Sequence, residues 1–216
     1  MDGLRSGRRF ADRADAGRRL AEVVRDAGPY ERPIVLGLPR GGVPVAHPVA
    51  VALSAPLDVL VVRKLGAPSN EEVAMGAIGP GGIRVLDDRV VGIVGADDAA
   101  LGRIEKREGA ELVRREQVFR AGRARLDLTG RTAVIVDDGV ATGATAGVAC
   151  RVARAMGAAR VVLAVPVAPS EWRERIGPVA DDFIAVREER DLWAVGQYYR
   201  DFRQTTDDEV LALLRG

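Results

Sequence analysis

The stretch Thr132-Ala-Val-Ile-Val-Asp-Asp-Gly-Val-Ala-Thr-Gly-Ala-Thr145 decides how this chain is read. Ala133 to Val136 is a short apolar run rich in β-branched residues. That pattern predicts a strand buried on both faces, as in a parallel sheet. Asp137 and Asp138 stand where the strand ends, and a loop of small residues, Gly139 to Thr145, leads into an alanine-rich helix over about Ala144 to Met156. In open α/β sheets, ligands bind just beyond the carboxyl ends of the strands. Backbone N–H groups at a helix N-terminus hold anions, helped by the helix dipole. Thr142 and Thr145 add hydroxyls to that cup, and Gly143, without a Cβ, lets the backbone come close. The paired carboxylates suit vicinal hydroxyls, a metal, or both. An anion cup beside two carboxylates fits a sugar phosphate. No Gly-Lys-Ser/Thr is present, so this is not a Walker A loop.

Four apolar residues, two acids and a Thr-Gly-x-Thr loop, in that order, resemble the binding motif of type I phosphoribosyltransferases. The resemblance implies that Asp137 and Asp138 hold the ribose hydroxyls of phosphoribosyl pyrophosphate, with a magnesium ion bridging those hydroxyls and the pyrophosphate. It implies that Gly139, Val140, Ala141, Thr142, Gly143, Ala144 and Thr145 form the loop around the 5-phosphate. The implied reaction transfers the phosphoribosyl group to a nitrogenous base through an oxocarbenium-like transition state and releases pyrophosphate. A protein of the family that only senses phosphoribosyl pyrophosphate is the alternative; no helix-turn-helix segment is evident to make it a repressor. Two departures stand out. Ala141 occupies a position where hypoxanthine-guanine enzymes carry an Asp, as adenine enzymes do, and Gly139 is unusual after the paired acids.

The resemblance runs from about Pro33 to Pro166. Ile34 to Leu38 reads as a buried strand ending in Pro39-Arg40-Gly41-Gly42. Two glycines there allow a tight fold with exposed N–H groups, and Arg40 supplies a fork for phosphate oxygens. This resembles the family's pyrophosphate loop, which carries an often cis peptide. Leu57 to Val62 reads as a third strand ending in Arg63-Lys64, adjacent cations that are costly unless they face solvent or an anion. By resemblance they join Pro39, Arg40, Gly41 and Gly42 around pyrophosphate. A mobile loop with Glu71 and Glu72 follows, then a lid hairpin over Met75 to Leu86. Arg40 and Lys64 are the candidate catalytic cations, and Glu71 or its neighbour Glu72 a carboxylate that acts on the acceptor.

Around this frame, Phe10 to Ala27 is an amphipathic helix stopped by Gly28-Pro29. Arg5, Arg8, Arg9, Arg13, Arg18 and Arg19 read as its solvated face. Val90 to Val94 reads as a short strand and Ala96 to about Ala121 as an exposed, charge-laced helix. His47 and Cys150 read as packed helix residues. Val161 to Val165 and Phe183 to Val186 are further strands, with a short helix over Glu171 to Ile176 between them. The tail from Trp193 to Arg203 holds four of only nine aromatic residues. Tyr198, Tyr199 and Phe202 are the candidates to stack on the acceptor base, as a hood does in the family; packing onto the core is the other reading.

The fold class is therefore α/β: a parallel twisted sheet with helices on both faces, a flexible lid hairpin and a small C-terminal hood. A single domain is expected over 1–216, with the core at about 30–166, the lid at about 65–86 and the hood at about 167–216. With 32 basic and 31 acidic residues the net charge is +1, which does not point to nucleic acid. All the basic residues except Lys64 and Lys106 are arginines. A single cysteine excludes an intrachain disulfide framework. No signal-peptide pattern or 18-residue apolar run is seen, so a cytoplasmic protein without a membrane partner is expected. A homodimer with phosphoribosyl pyrophosphate and a base as its partners completes that expectation.

Overall fold

The computed structural model of the chain describes residues 9–120 and 122–215; Arg5, Arg8, Ala121 and the side chain of Glu72 lie outside the described residues. In chain order the elements are α1 (Arg13–Asp26), β1 (Ile34–Gly37), α2 (Gly42–Ala52), β2 (Leu57–Val59), β3 (Arg63–Ala67), β4 (Asn70–Gly79), β5 (Ile83–Leu86), α3 (Asp88–Val94), α4 (Asp98–Arg120), β6 (Thr132–Val136), α5 (Ala144–Ala155), β7 (Arg160–Pro169), α6 (Trp172–Ile176), β8 (Asp182–Glu189) and α7 (Asp207–Arg215).

Five parallel strands form the main sheet in the order β2-β1-β6-β7-β8. All five residues of β6 are buried, because helices cover both faces of the sheet. Alternate side chains show it: Ala133 and Ile135 pack with Val148 and Val152 of α5, while Val134 and Val136 pack with Leu20 of α1 and Val45 of α2. After β1 the chain steps outward to β2, then returns to the other side of β1 as β6. The switch point therefore lies between β1 and β6, where two strand-end loops diverge and leave a crevice.

A second sheet, β3-β4-β5, is antiparallel. The expected hairpin is present as β4 and β5, but it belongs to three strands rather than two. Arg63 and Lys64 do not end the strand that begins at Leu57. That strand stops at Val59, and Arg63 opens β3. Leu60 and Val61 are 1% and 2% exposed, so the apolar run marks a buried crossing between sheets, not a longer strand. Leu65, Ala67 and Met75 bury themselves against Leu101 of α4, which gives this sheet a small core of its own.

Val90 to Val94 is helical, not extended. Asp87 caps the helix by accepting the Val90 N–H, and Gly95 closes it in the left-handed conformation. Those two caps outweigh the β-branched side chains between them. The C-terminal tail returns to the N-terminal end of α1, where Phe10 bridges Tyr199 and its N–H donates to the Tyr198 carbonyl at 2.8 Å.

Candidate active site

Asp137 and Asp138 lie at the switch point, with the Pro39–Gly42 loop against them. The Leu38 N–H donates to the Val136 carbonyl at 2.9 Å, which zips the two strand ends together, and the Pro39–Arg40 peptide is cis. A Cβ on Gly41 would fall 2.1 Å from Asp138 Oδ2, and one on Gly42 would fall 2.5 Å from the Val136 carbonyl oxygen. Both glycines are thus set by close approach to the end of β6; contrary to the exposed N–H groups expected from the sequence, Gly42 is buried and its N–H donates to the Leu38 carbonyl at 2.9 Å as α2 begins.

Each carboxylate is anchored through one oxygen. Asp137 Oδ1 accepts the Asp138 N–H at 2.9 Å. Asp138 Oδ2 accepts the Nε–H of Arg13 at 2.8 Å, and Nη2 of the same guanidinium lies 2.8 Å from it as an ion pair. Among the described residues, nothing hydrogen-bonds to the remaining oxygen of either acid, so two acceptors stay available side by side. Burial, and then the charge of Asp138, pushes the Asp137 carboxyl well above its usual range. Burial raises Asp138 too, against the opposing pull of Arg13. A pair held this way gains from hydroxyl donors or a cation. The two free oxygens are too few to form a closed protein cage, and no group of three or more His, Cys, Asp or Glu among the described residues could hold a metal. They fit magnesium, which keeps most of its ligands as water and substrate oxygens.

The small-residue loop is held from both sides. Gly139 has φ +156°, and a Cβ there would meet Val195 Cγ1 at 2.5 Å, which accounts for glycine directly after the acids. The Val140 N–H donates to the Val167 carbonyl at 2.9 Å. Gly143, at φ +83°, forms the N-cap of α5, where a side chain would strike Ile176. Between these anchors Ala141, Thr142 and Thr145 remain exposed at the mouth of the helix.

Two cavities flank the Pro39–Gly42 loop. One, of about 370 Å³, brings Pro39, Arg63, Lys64 and Glu71 together with Thr145. The other, of about 420 Å³, is lined by Arg13, Arg40, Gly41, Asp138 and Asp207, and Arg115 borders both. Arg40 Nη1 is 3.5 Å from Asp207. Arg63 is tied to the buried Glu108 at 2.6 Å, and Glu71 pairs with Arg107 at 3.2 Å. Arg63 therefore fastens the small sheet to α4 from the wall of the cavity.

The aromatic tail is mainly support. Tyr199 is 3% exposed, its ring packs between Phe10 and Phe202, and its hydroxyl donates to the Asp138 carbonyl at 2.6 Å. The Arg13 guanidinium covers Phe202 at 4.0 Å, and that of Arg187 lies 5.0 Å from the Tyr198 ring. Of the two readings of the tail, stacking and packing, Tyr199 takes the second: it is closed to base stacking, and its hydroxyl satisfies a backbone acceptor under the site. Trp193 is 85% exposed, two residues before the Val195 that touches Gly139. Arg13 is the site residue the sequence reading missed. It stands among other arginines at a helix start, and no local signal sets it apart.

A family model described as "Phosphoribosyl transferase domain" matches residues 9–202. Two Mycobacterium tuberculosis proteins, each named "Putative phosphoribosyl transferase" (MT0597 and Rv0571c), are 55% identical over 95% of this chain. The chain covers 46% of their length, so it spans about half of the curated relatives it matches. The crystal structure of TT1426 from Thermus thermophilus is 46% identical, covers 95% of this chain and 97% of that one, and superposes with a TM-score of 0.89. A Neisseria gonorrhoeae protein solved with bound ppGpp covers 96% of this chain and 95% of that one, at 14% identity and a TM-score of 0.52, a likeness of fold alone.

Proposed function

Because the chain belongs to the phosphoribosyltransferase family, we propose that it transfers the phosphoribosyl group of phosphoribosyl pyrophosphate to a nitrogenous base with magnesium, releasing pyrophosphate. The observation that carries this reading is the pair of anchored carboxylates, each with one oxygen left over, beside the exposed Thr142–Thr145 helix mouth. Two adjacent acceptors fit a vicinal diol, and the helix mouth fits a phosphate. Thr142, Thr145 and the loop backbone hold the 5-phosphate. Asp137 and Asp138 hold the ribose hydroxyls and magnesium, which when bound offsets charge on the leaving pyrophosphate. Gly41 supplies a backbone donor, since the Gly42 N–H is spent on the Leu38 carbonyl at 2.9 Å, while Arg40 and Lys64 supply charge on the pyrophosphate side. The C1–oxygen bond to pyrophosphate breaks, a C1–nitrogen bond forms, and the acceptor nitrogen loses a proton; Glu71, on the wall of the Lys64 cavity, is the nearby carboxylate to take it. The family reading also carries a cytoplasmic homodimer, and light scattering tests the assembly.

Pyrophosphate release in the presence of magnesium, phosphoribosyl pyrophosphate and a panel of bases tests the reaction. No release with any base, together with no binding of phosphoribosyl pyrophosphate, overturns it. Arg40→Ala and Lys64→Ala are expected to lower turnover roughly 10- to 100-fold, the worth of one charged hydrogen bond, with little change in ribose 5-phosphate affinity. Equal losses in both measurements would contradict the assigned roles. On the acceptor side, Trp193 offers the exposed ring that Tyr199 does not. Trp193→Ala is expected to raise the acceptor KM about 5- to 100-fold, since base stacking contributes about 1–3 kcal/mol, and to leave phosphoribosyl pyrophosphate binding unchanged. Unchanged acceptor kinetics would assign Trp193 no contact with the base.

A further inference from the structure

Arg13 lies 125 residues from Asp138 in sequence and belongs to the first turn of α1. Resting on the reading above, we propose that Arg13 is a positioning residue of the ribose site: it locks one oxygen of Asp138 so that the other faces the sugar hydroxyls. The lock is built from several directions. Nε and Nη2 of Arg13 converge on the same oxygen, Oδ2, and the two side chains are only 12% and 18% exposed. Nη1 donates to the Arg203 carbonyl at 2.7 Å, and the guanidinium plane rests on Phe202 at 4.0 Å. The planar fork is thus fixed by a carboxylate, a carbonyl and a ring together, an arrangement that a single ammonium does not reproduce.

The box around Oδ2 closes on its other side at Gly41, where even a methyl group would sit 2.1 Å away. Oδ2 therefore cannot swing toward a ligand, and Oδ1 is the oxygen left to face the crevice. The backbone of Asp138 is held as well, by the Tyr199 hydroxyl on its carbonyl at 2.6 Å. Asp137 needs no such help, since the neighbouring N–H anchors it. A ligating group whose rotamer is locked by its surroundings binds without paying to order itself on each encounter. The N-terminal helix and the C-terminal tail, which the sequence reading treated as a solvated face and a hood, act here as one brace beneath Asp138.

The test compares inorganic phosphate, ribose 5-phosphate and 2-deoxyribose 5-phosphate by calorimetry on the full chain and its Arg13→Met and Arg13→Lys variants. The unaltered protein is expected to prefer ribose 5-phosphate over the deoxy sugar about tenfold or more, the worth of one hydrogen bond to a charged acceptor. In Arg13→Met that preference is expected to fall below about threefold while the affinity for inorganic phosphate stays the same, since the phosphate loop is untouched. Arg13→Lys keeps the charge but not the fork, so it should fall between the two, and it carries the test alone if Arg13→Met does not fold. An unchanged sugar preference in these variants overturns the role of Arg13. Absence of any preference in the unaltered protein overturns instead the assignment of Asp137 and Asp138 to the ribose, and Arg13 with it. A purely structural role would weaken all three ligands equally, which also rejects the proposal.

Discussion

Asp137→Asn combined with Asp138→Asn is expected to weaken phosphoribosyl pyrophosphate binding by roughly 10²- to 10⁴-fold. One oxygen of each acid is free of hydrogen bonds among the described residues. Each ionised acid offers one acceptor to a hydroxyl or cation, and a hydrogen bond to a charged group contributes about 1.5–3 kcal/mol. Two such contacts sum to roughly 3–6 kcal/mol, and each 1.4 kcal/mol is about tenfold. An amide keeps the shape but removes the charge and turns one acceptor into a donor. The single Asp137→Asn variant separates site from scaffold. Burial and the neighbouring Asp138 raise the Asp137 carboxyl above its unfolded value. An acid raised in that direction is stabilising below its unfolded pKa and costs stability once the pH has risen through the folded one. At neutral pH a neutral side chain therefore relieves strain, and the melting temperature of Asp137→Asn should stay level or rise while binding falls. Calorimetry showing equal affinity in the double variant and the unaltered protein would remove these acids from the ligand site.

Asp58→Ala is expected to be the most damaging change away from the site. Asp58 is 4% exposed in β2. It receives Arg120 Nη1 at 3.1 Å, the Val59 N–H at 2.8 Å and the Leu126 N–H at 3.3 Å. One carboxylate thus joins the edge of the main sheet, the end of α4 and the link into β6. Truncation leaves two N–H groups without that acceptor, and it leaves the guanidinium of Arg120, only 12% exposed, with the longer contacts to Glu116 at 3.3 Å and to the Val59 and Ala124 carbonyls at 3.4 Å. Removing one partner of a buried ion pair costs about 3–5 kcal/mol. For a domain of this size that corresponds to a melting temperature lower by roughly 10 °C. Asp58→Asn keeps one acceptor oxygen and should lose about half as much. A thermal melt of Asp58→Ala within about 2 °C of the unaltered protein would show that the junction is dispensable.

Features whose cause is local can be read along the chain. The apolar run Ala133–Val136 marks a strand buried on both faces whatever lies around it, and β6 is buried along its whole length. The acids at its end and the Gly143 turn into α5 were readable for the same reason, since strand, loop and helix follow one another along a few residues. The β-branched run Val90–Val94 pointed to a strand, because what makes it helical, the Asp87 and Gly95 caps, lies outside the run itself.

Features that depend on distant chain segments meeting have no such local trace. That Leu60 and Val61 are buried without being strand follows from their passage between two sheets. That Gly41 must be glycine is set by an oxygen of Asp138, and that Gly139 must be glycine is set by Val195. Stacking and packing were both open for Tyr199, because its burial comes from Phe10, nearly 190 residues earlier in the sequence. Arg13 looked like solvated charge because its partner lies 125 residues away. Hydrophobic periodicity and capping act within a turn or two of chain, so sequence carries them. The orientation of a carboxylate depends on which guanidinium, hydroxyl and Cα the fold brings against it, and those contacts exist only after the two ends of the chain have packed beneath the same strand.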